Sequence, residues 1–115
     1  MATSIRGKNL DLTEDLKDFA TKKVESVTKL LESVIDIRID LSKETNHHQK
    51  GDIYKASVDI QVPGNVYHAE ENAEDIKTAI NRVKQELQQI IKHDKGQRDA
   101  KRRETQKAVR EMKEG

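Results

Sequence analysis

A chain of 115 residues with no cysteine and no tryptophan, one Phe and two Tyr is sized for a single domain. It excludes disulfides, thiolate metal sites and thiol catalysis, and it offers few rings on which unpaired bases could stack. The net charge of +1 hides an asymmetry: residues 92–115 carry nine cations against five acids, while residues 1–91 are net −3. A basic end on a near-neutral body predicts an anionic partner, nucleic acid before all else, with a merely solvated tail as the plain alternative. The N-terminus has no apolar signal-like region, and no run approaches ~18 apolar residues. A soluble cytoplasmic protein without membrane association is expected.

In chain order, Thr3 to Arg6 reads as a short strand with Ile5 inward, ended by Gly7-Lys8-Asn9 as a turn. Thr13 is a helix N-cap followed by Glu14 and Asp15, where the helix dipole favours negative charge. An amphipathic helix of about five turns follows, with Leu16, Phe19, Ala20, Val24, Val27, Leu30, Leu31 and Val34 on one side. The period then drops to two: Ile35, Ile37, Ile39 and Leu41 alternate with Asp36, Arg38 and Asp40, a strand buried on one face. Ser42 to Asp52 reads as a mobile hairpin loop. Tyr54, Ala56, Val58, Ile60 and Val62 mark a third strand, Pro63-Gly64-Asn65 a turn, and Val66 to Glu70 a short fourth strand. The stretch from Asn72 to Lys92 then carries a helical stripe of Ala73, Ile76, Ala79, Ile80, Val83, Leu87, Ile90 and Ile91.

The order is β-α-β-β-β-α. It predicts an α+β domain over residues 1–95, with a four-stranded sheet open on one face and two helices side by side on the other. Residues 96–115 have no stripe and read as a basic flexible tail, disordered or a frayed helix.

Little in the sequence supports an enzyme. There is no phosphate-cradling Gly-rich loop. His47, His48, His68 and His93 lack metal-ligand spacing and read as surface histidines. Asp36, Asp40 and Asp59 could line up on the open sheet face for acid–base work, but cross-strand pairing with Arg38 and Lys55 is the more ordinary reading. No cofactor and no small-molecule substrate are expected. The cations carry more. Lys22, Lys23 and Lys29 lie on one edge of the first helix, and Lys77, Arg82, Lys84 and Lys92 on the second. Either they form a positive strip that tracks phosphates, or they are i, i+4 partners of acids on solvated faces. The tail, with Lys95, Arg98, Lys101, Arg102 and Arg103, continues the second helix and favours the strip.

Several local patterns recur in order: Gly7-Lys8-Asn9 with Leu12-Thr13, Leu41-Ser42-Lys43-Glu44, Ala56 to Ile60, Pro63-Gly64, and Asp75-Ile76 followed by Ala79-Ile80-Asn81. In these the chain, from about Ser4 to Lys95, resembles the short ribosome hibernation-promoting factors, the family of the ribosome-associated inhibitor also called protein Y. The resemblance implies the same β-α-β-β-β-α fold with its two helices parallel. It also implies binding to the small ribosomal subunit at the decoding centre, against 16S rRNA, where the protein blocks messenger RNA and A- and P-site tRNA and inhibits translation during stress. By that resemblance, rRNA contact falls to Lys22 and Lys23 and, more loosely, to Arg82, Lys84 and Lys92. The family's second helix often reads Lys-Leu-Glu-Arg-Gln-Leu where this chain has Glu86-Leu87-Gln88-Gln89-Ile90-Ile91, so two usual cations are Glu86 and Gln89. The long form's second, dimerising domain is lacking, and a monomer off the ribosome is expected. Two other readings stand beside this one: a generic double-stranded RNA module, and a protein-interaction domain that modulates transcription through the open sheet face.

Overall fold

The computed structural model describes the backbone of residues 2–45 and 52–114 and the side chains of residues 2–44 and 53–95. The element order is β1 (Ala2–Lys8), α1 (Glu14–Thr28), β2 (Asp36–Thr45), β3 (Asp52–Val62), β4 (Asn65–Ala73) and α2 (Ile76–Glu114). The four strands form one sheet in the order β1-β2-β3-β4. β1 pairs parallel to β2, with Ile5 opposite Ile39, and β2, β3 and β4 pair antiparallel. Because β1 and β2 run the same way, α1 must return against them. β4 again runs with β2, so α2 returns in the direction of α1, and the two helices lie parallel.

Alternation fixes the layers. Ile37, Ile39 and Leu41 of β2, Ala56, Val58, Ile60 and Val62 of β3, and Tyr67, Ala69 and Ala73 of β4 are buried on one face. They meet Leu16, Ala20, Val24 and Val27 of α1 and Ala79, Ile80, Val83, Leu87 and Ile91 of α2 in a single core. Among the described residues no polar side chain is buried in that core. The α+β class, the strand–helix–three-strand–helix order and the two helices over one sheet face are as the sequence predicts.

The element boundaries differ from the sequence reading in ways with physical causes. The strand β1 runs on through Gly7 to Lys8, and the turn falls at Asn9, whose φ is 60°. Gly7 permits a close approach: a Cβ there would sit 3.3 Å from the Leu12 Cβ, tight enough that a neighbour would have to shift. At Gly64 the φ of 78° is what the third position of a type II turn demands after Pro63.

Helix α1 ends at Thr28 rather than near Val34. Ser26 Oγ and Thr28 Oγ1 donate to the Lys23 and Glu25 carbonyls at 2.6 Å, a local pattern that competes with continued helix. Leu30, Leu31 and Val34 still pack on the core, from the connection. Ile35 keeps the alternation but lies ahead of β2 and is 49% exposed.

The hairpin between β2 and β3 is shorter than the Ser42–Asp52 loop, since Ser42 to Thr45 and Asp52 are paired in strands. His47 and His48 lie outside the described residues. Asn72 and Ala73 belong to β4, not to the second helix. Asp75 sets the helix start: its carbonyl accepts from Ala79 N at 3.0 Å, and its Oδ2 from Thr78 N at 3.3 Å. The helical backbone of α2 then continues through Gly96 to Glu114, a stretch rich in good helix formers (Lys, Arg, Glu, Gln and Ala).

Candidate nucleic-acid interface

The N-terminal end of α1 is fixed by its cap, Leu16 N donating to Thr13 Oγ1 at 3.2 Å. With Leu16, Ala20, Val24 and Val27 turned to the sheet, the period of the helix turns Phe19, Lys23 and Ser26 toward α2. Phe19 is half-buried against the core edge. Over its ring stand two ammonium groups from different helices: Lys23 Nζ and Lys77 Nζ, each 5.4 Å from the ring centroid. Phe19 therefore marks the seam where α1 and α2 meet. The sequence reading placed it only in the core. Its position one turn before Lys23 was the signal that could have suggested more.

Lys77 identifies which flank of α2 faces α1. At about 100° per residue, Asn81, Lys84, Gln88 and Lys95 follow it in one row, with Lys92 turned outward beside them. That row has no acid. Lys22 and Lys29 are exposed on the outer side of α1, so the seam itself holds Lys23, Lys77, Lys84 and Lys95, and Lys22, Lys29 and Lys92 lie outward of it, seven lysines in all. The alternative of i, i+4 ion pairing does not hold for them. Lys17 pairs with Glu14 at 3.6 Å in that general manner, but among the described residues none of the seven joins an ion pair.

Arg82 does not belong to this group. It lies about 160° around the helix from Lys84, and its Nη1 donates to the Asn72 carbonyl of β4 at 2.8 Å. The expected edge of Arg82, Lys84 and Lys92 is thus divided between two flanks. Arg98, Lys101, Arg102 and Arg103 lie on the continuing backbone of α2, and their side chains are outside the described residues.

Glu86 falls on the same β4-facing flank as Arg82, so it does not interrupt the lysine row. It faces Glu71, the one acidic residue of β4 on the helix side of the sheet. Its pKa is raised by a hydrogen bond with the Glu71 carboxyl, then by burial, then by the Glu71 charge, with His68 acting in the opposite sense. Glu86 Oε2 is enclosed without a hydrogen-bond partner among the described residues. A carboxyl whose pKa is higher folded than unfolded contributes stability fully below its unfolded pKa and loses it as pH rises through the folded value. Glu86→Gln is therefore expected to raise the thermal midpoint at about pH 7.5 and to leave it unchanged near pH 4. Melting curves of both proteins at the two pH values check this, and a gain of equal size at both would exclude the carboxyl pair as its cause.

On the open sheet face the carboxylates are interleaved with cations. Asp59 stands opposite Arg38 in register and its Oδ1 meets His68 Nδ1. Lys55 pairs with Glu70 of β4, not with the aspartates. Among the described residues no group of three or more His, Asp or Glu is placed to hold a metal ion, and no helix is long and apolar enough to cross a membrane.

Residues 3–99 match the family model described as Sigma 54 modulation protein / S30EA ribosomal protein. The chain belongs to this family. Its relatives include a protein named ribosome hibernation promoting factor from Acidithiobacillus ferridurans, 28% identical over 81 residues, covering 70% of this chain and 100% of the relative. A ribosome hibernation promotion factor from Picosynechococcus sp. is 24% identical over 97% of this chain but 58% of its own length. That from Deinococcus radiodurans is 22% identical over 76% of this chain and 46% of its own. This chain thus spans about half the length of those two longer relatives.

Among solved structures, a ribosomal subunit interface protein from Coxiella burnetii superposes with a TM-score of 0.70 at 16% identity, covering 84% of this chain and 99% of that one. The N-terminal domain of Thermus thermophilus Protein Y does so with a TM-score of 0.63 at 23% identity, covering 80% and 93%. Both share the fold.

Proposed function

We propose that this protein is a non-enzymatic ribosome hibernation factor. It binds the small ribosomal subunit against 16S rRNA near the decoding centre and inhibits translation by occupying the space of messenger RNA and of A- and P-site tRNA. The observation that carries the reading is the acid-free lysine row at the α1–α2 seam, a surface that meets phosphates by position and charge with little reading of base identity. The family and the names of its relatives support the ribosome as the partner. Residues 1–95 supply the body of the contact and residues 96–115 a basic extension of it.

The test is co-sedimentation with purified small subunits at rising salt. With about five phosphates neutralised, affinity should fall roughly a hundred- to a thousandfold between about 50 and 200 mM salt. Messenger RNA together with P-site tRNA should displace the bound protein. No co-sedimentation at low salt would overturn the reading, and equal affinity for a plain RNA duplex would replace it with a generic double-stranded RNA module.

A further inference from the structure

We infer that Phe19 is a positioning residue whose ring holds Lys23 of α1 and Lys77 of α2 together as a two-ammonium clamp for a backbone phosphate. This rests on the nucleic-acid reading of the helix seam, and names one element of how that surface is built.

The argument begins with an electrostatic imbalance. Both ammonium nitrogens lie 5.4 Å from the centroid of one ring, so they stand at most about 11 Å from each other. Two ammonium groups on one ring repel each other, and a neighbouring carboxylate would offset that repulsion. Here neither lysine joins an ion pair among the described residues; the Asn81, Lys84 and Gln88 row beside them supplies no acid, and Asp15, one turn before Phe19 on α1, is exposed and joins none either. What replaces the carboxylate is the negative face of the Phe19 quadrupole, an attraction that is short-ranged and weaker than an ion pair. The ring offsets the repulsion only in part, and an anion placed between the two ammonium groups would complete the neutralisation.

The second part concerns entropy. A lysine side chain that is free in solution must give up several rotors to grip a phosphate. Phe19 is partly buried and packed against the core edge. Its ring keeps two long side chains near their working positions before any ligand arrives. The two lysines come from different helices, so the clamp also spans the seam.

The experiment compares Phe19→Leu and Phe19→Tyr with the unaltered protein, using co-sedimentation with small subunits over a salt series and thermal melts of each variant. Leu keeps the apolar packing and removes the quadrupole; Tyr keeps both. Phe19→Leu is expected to weaken binding about three- to tenfold and to reduce the slope of log affinity against log salt by about one. Phe19→Tyr should bind within about twofold of the unaltered protein. In a Lys23→Gln/Lys77→Gln background, Phe19→Leu should have no further effect, which a purely structural role for the ring would not produce. A Phe19→Leu protein with unaltered affinity and salt slope, or with the same loss in both backgrounds, would overturn the clamp.

A second measurement separates this from the functional reading. The side-chain carbon resonances of Lys23 and Lys77 are followed while inorganic pyrophosphate is titrated into the protein alone. They should shift together in the unaltered protein and lose that common response in Phe19→Leu. If they do so while small subunits fail to bind, the clamp stands and the ribosomal reading falls. Independent responses that Phe19→Leu leaves unchanged would overturn the clamp whatever the ribosome does.

Discussion

Lys77→Glu combined with Lys84→Glu is expected to weaken small-subunit binding by about 100-fold or more, while Arg82→Glu changes it by no more than about threefold. The two lysines are seven residues apart and lie in one row on the flank of α2 that faces α1. Reversing both removes two phosphate contacts and puts two like charges in front of the anion, and the salt slope should fall by about two. Arg82 is on the other flank, bonded to the Asn72 carbonyl. Its reversal should appear mainly as a small loss of stability, on the order of 1 kcal/mol for the lost hydrogen bond. Circular dichroism and melting curves of the variants establish that each is folded, and co-sedimentation ranks them. If Arg82→Glu proved as damaging as the double lysine reversal, the rRNA-facing surface would wrap to the β4 side, and the seam would not be its centre.

That division of one helix into two flanks shows what the sequence reveals and where it stops. The stripe of Ala79, Ile80, Val83, Leu87 and Ile91 is legible because burial repeats with the helical period, and every one of those residues is in the core. The same period says which polar residues share a flank, but not which flank meets the other helix. Only the contact of Lys77 with Phe19 decides that. Grouping Arg82 with Lys84 by nearness along the chain was misleading, because two steps on a helix reverse direction. Glu86 shows the converse. As a substitution for a cation it suggested a gap in the basic surface, yet it lies beside Glu71 on the opposite flank.

Strand ends were less legible than strand middles. Asn72 and Ala73 could extend either the alternation of β4 or the stripe of α2, and Ala73 satisfies both patterns. Asp75 breaks the tie through its capping bond, which is visible only once the chain is folded. β2 and β3 were plain from alternation, because a half-buried strand requires it, whereas β1 and β4 were read as short strands from the turns beside them.

Alternation also misplaced one residue, and the error leads to the largest expected effect on stability. Ile39→Ala should destabilise the protein by about 3 kcal/mol, whereas Ile35→Ala should cost no more than about 0.5 kcal/mol. The two residues are the same type, four apart in one alternating run. Ile39 is 1% exposed in β2, flanked in register by Ile5 of β1 and Val58 of β3. Truncating it removes buried surface and leaves a cavity between neighbours that the sheet holds apart. Ile35 is 49% exposed, and what the structure uses there is its backbone, which donates to the Gln61 carbonyl at 2.8 Å. Alanine keeps that bond. For a domain of this size about 3 kcal/mol corresponds to a fall in thermal midpoint of more than about 10 °C, readily measured against Ile35→Ala under the same conditions. The fall for Ile39→Ala would carry binding with it on heating, because the sheet is what sets α1 and α2 side by side. Equal midpoints for the two variants would mean that the core does not close over β2 as described, and the helix seam would lose its foundation with it.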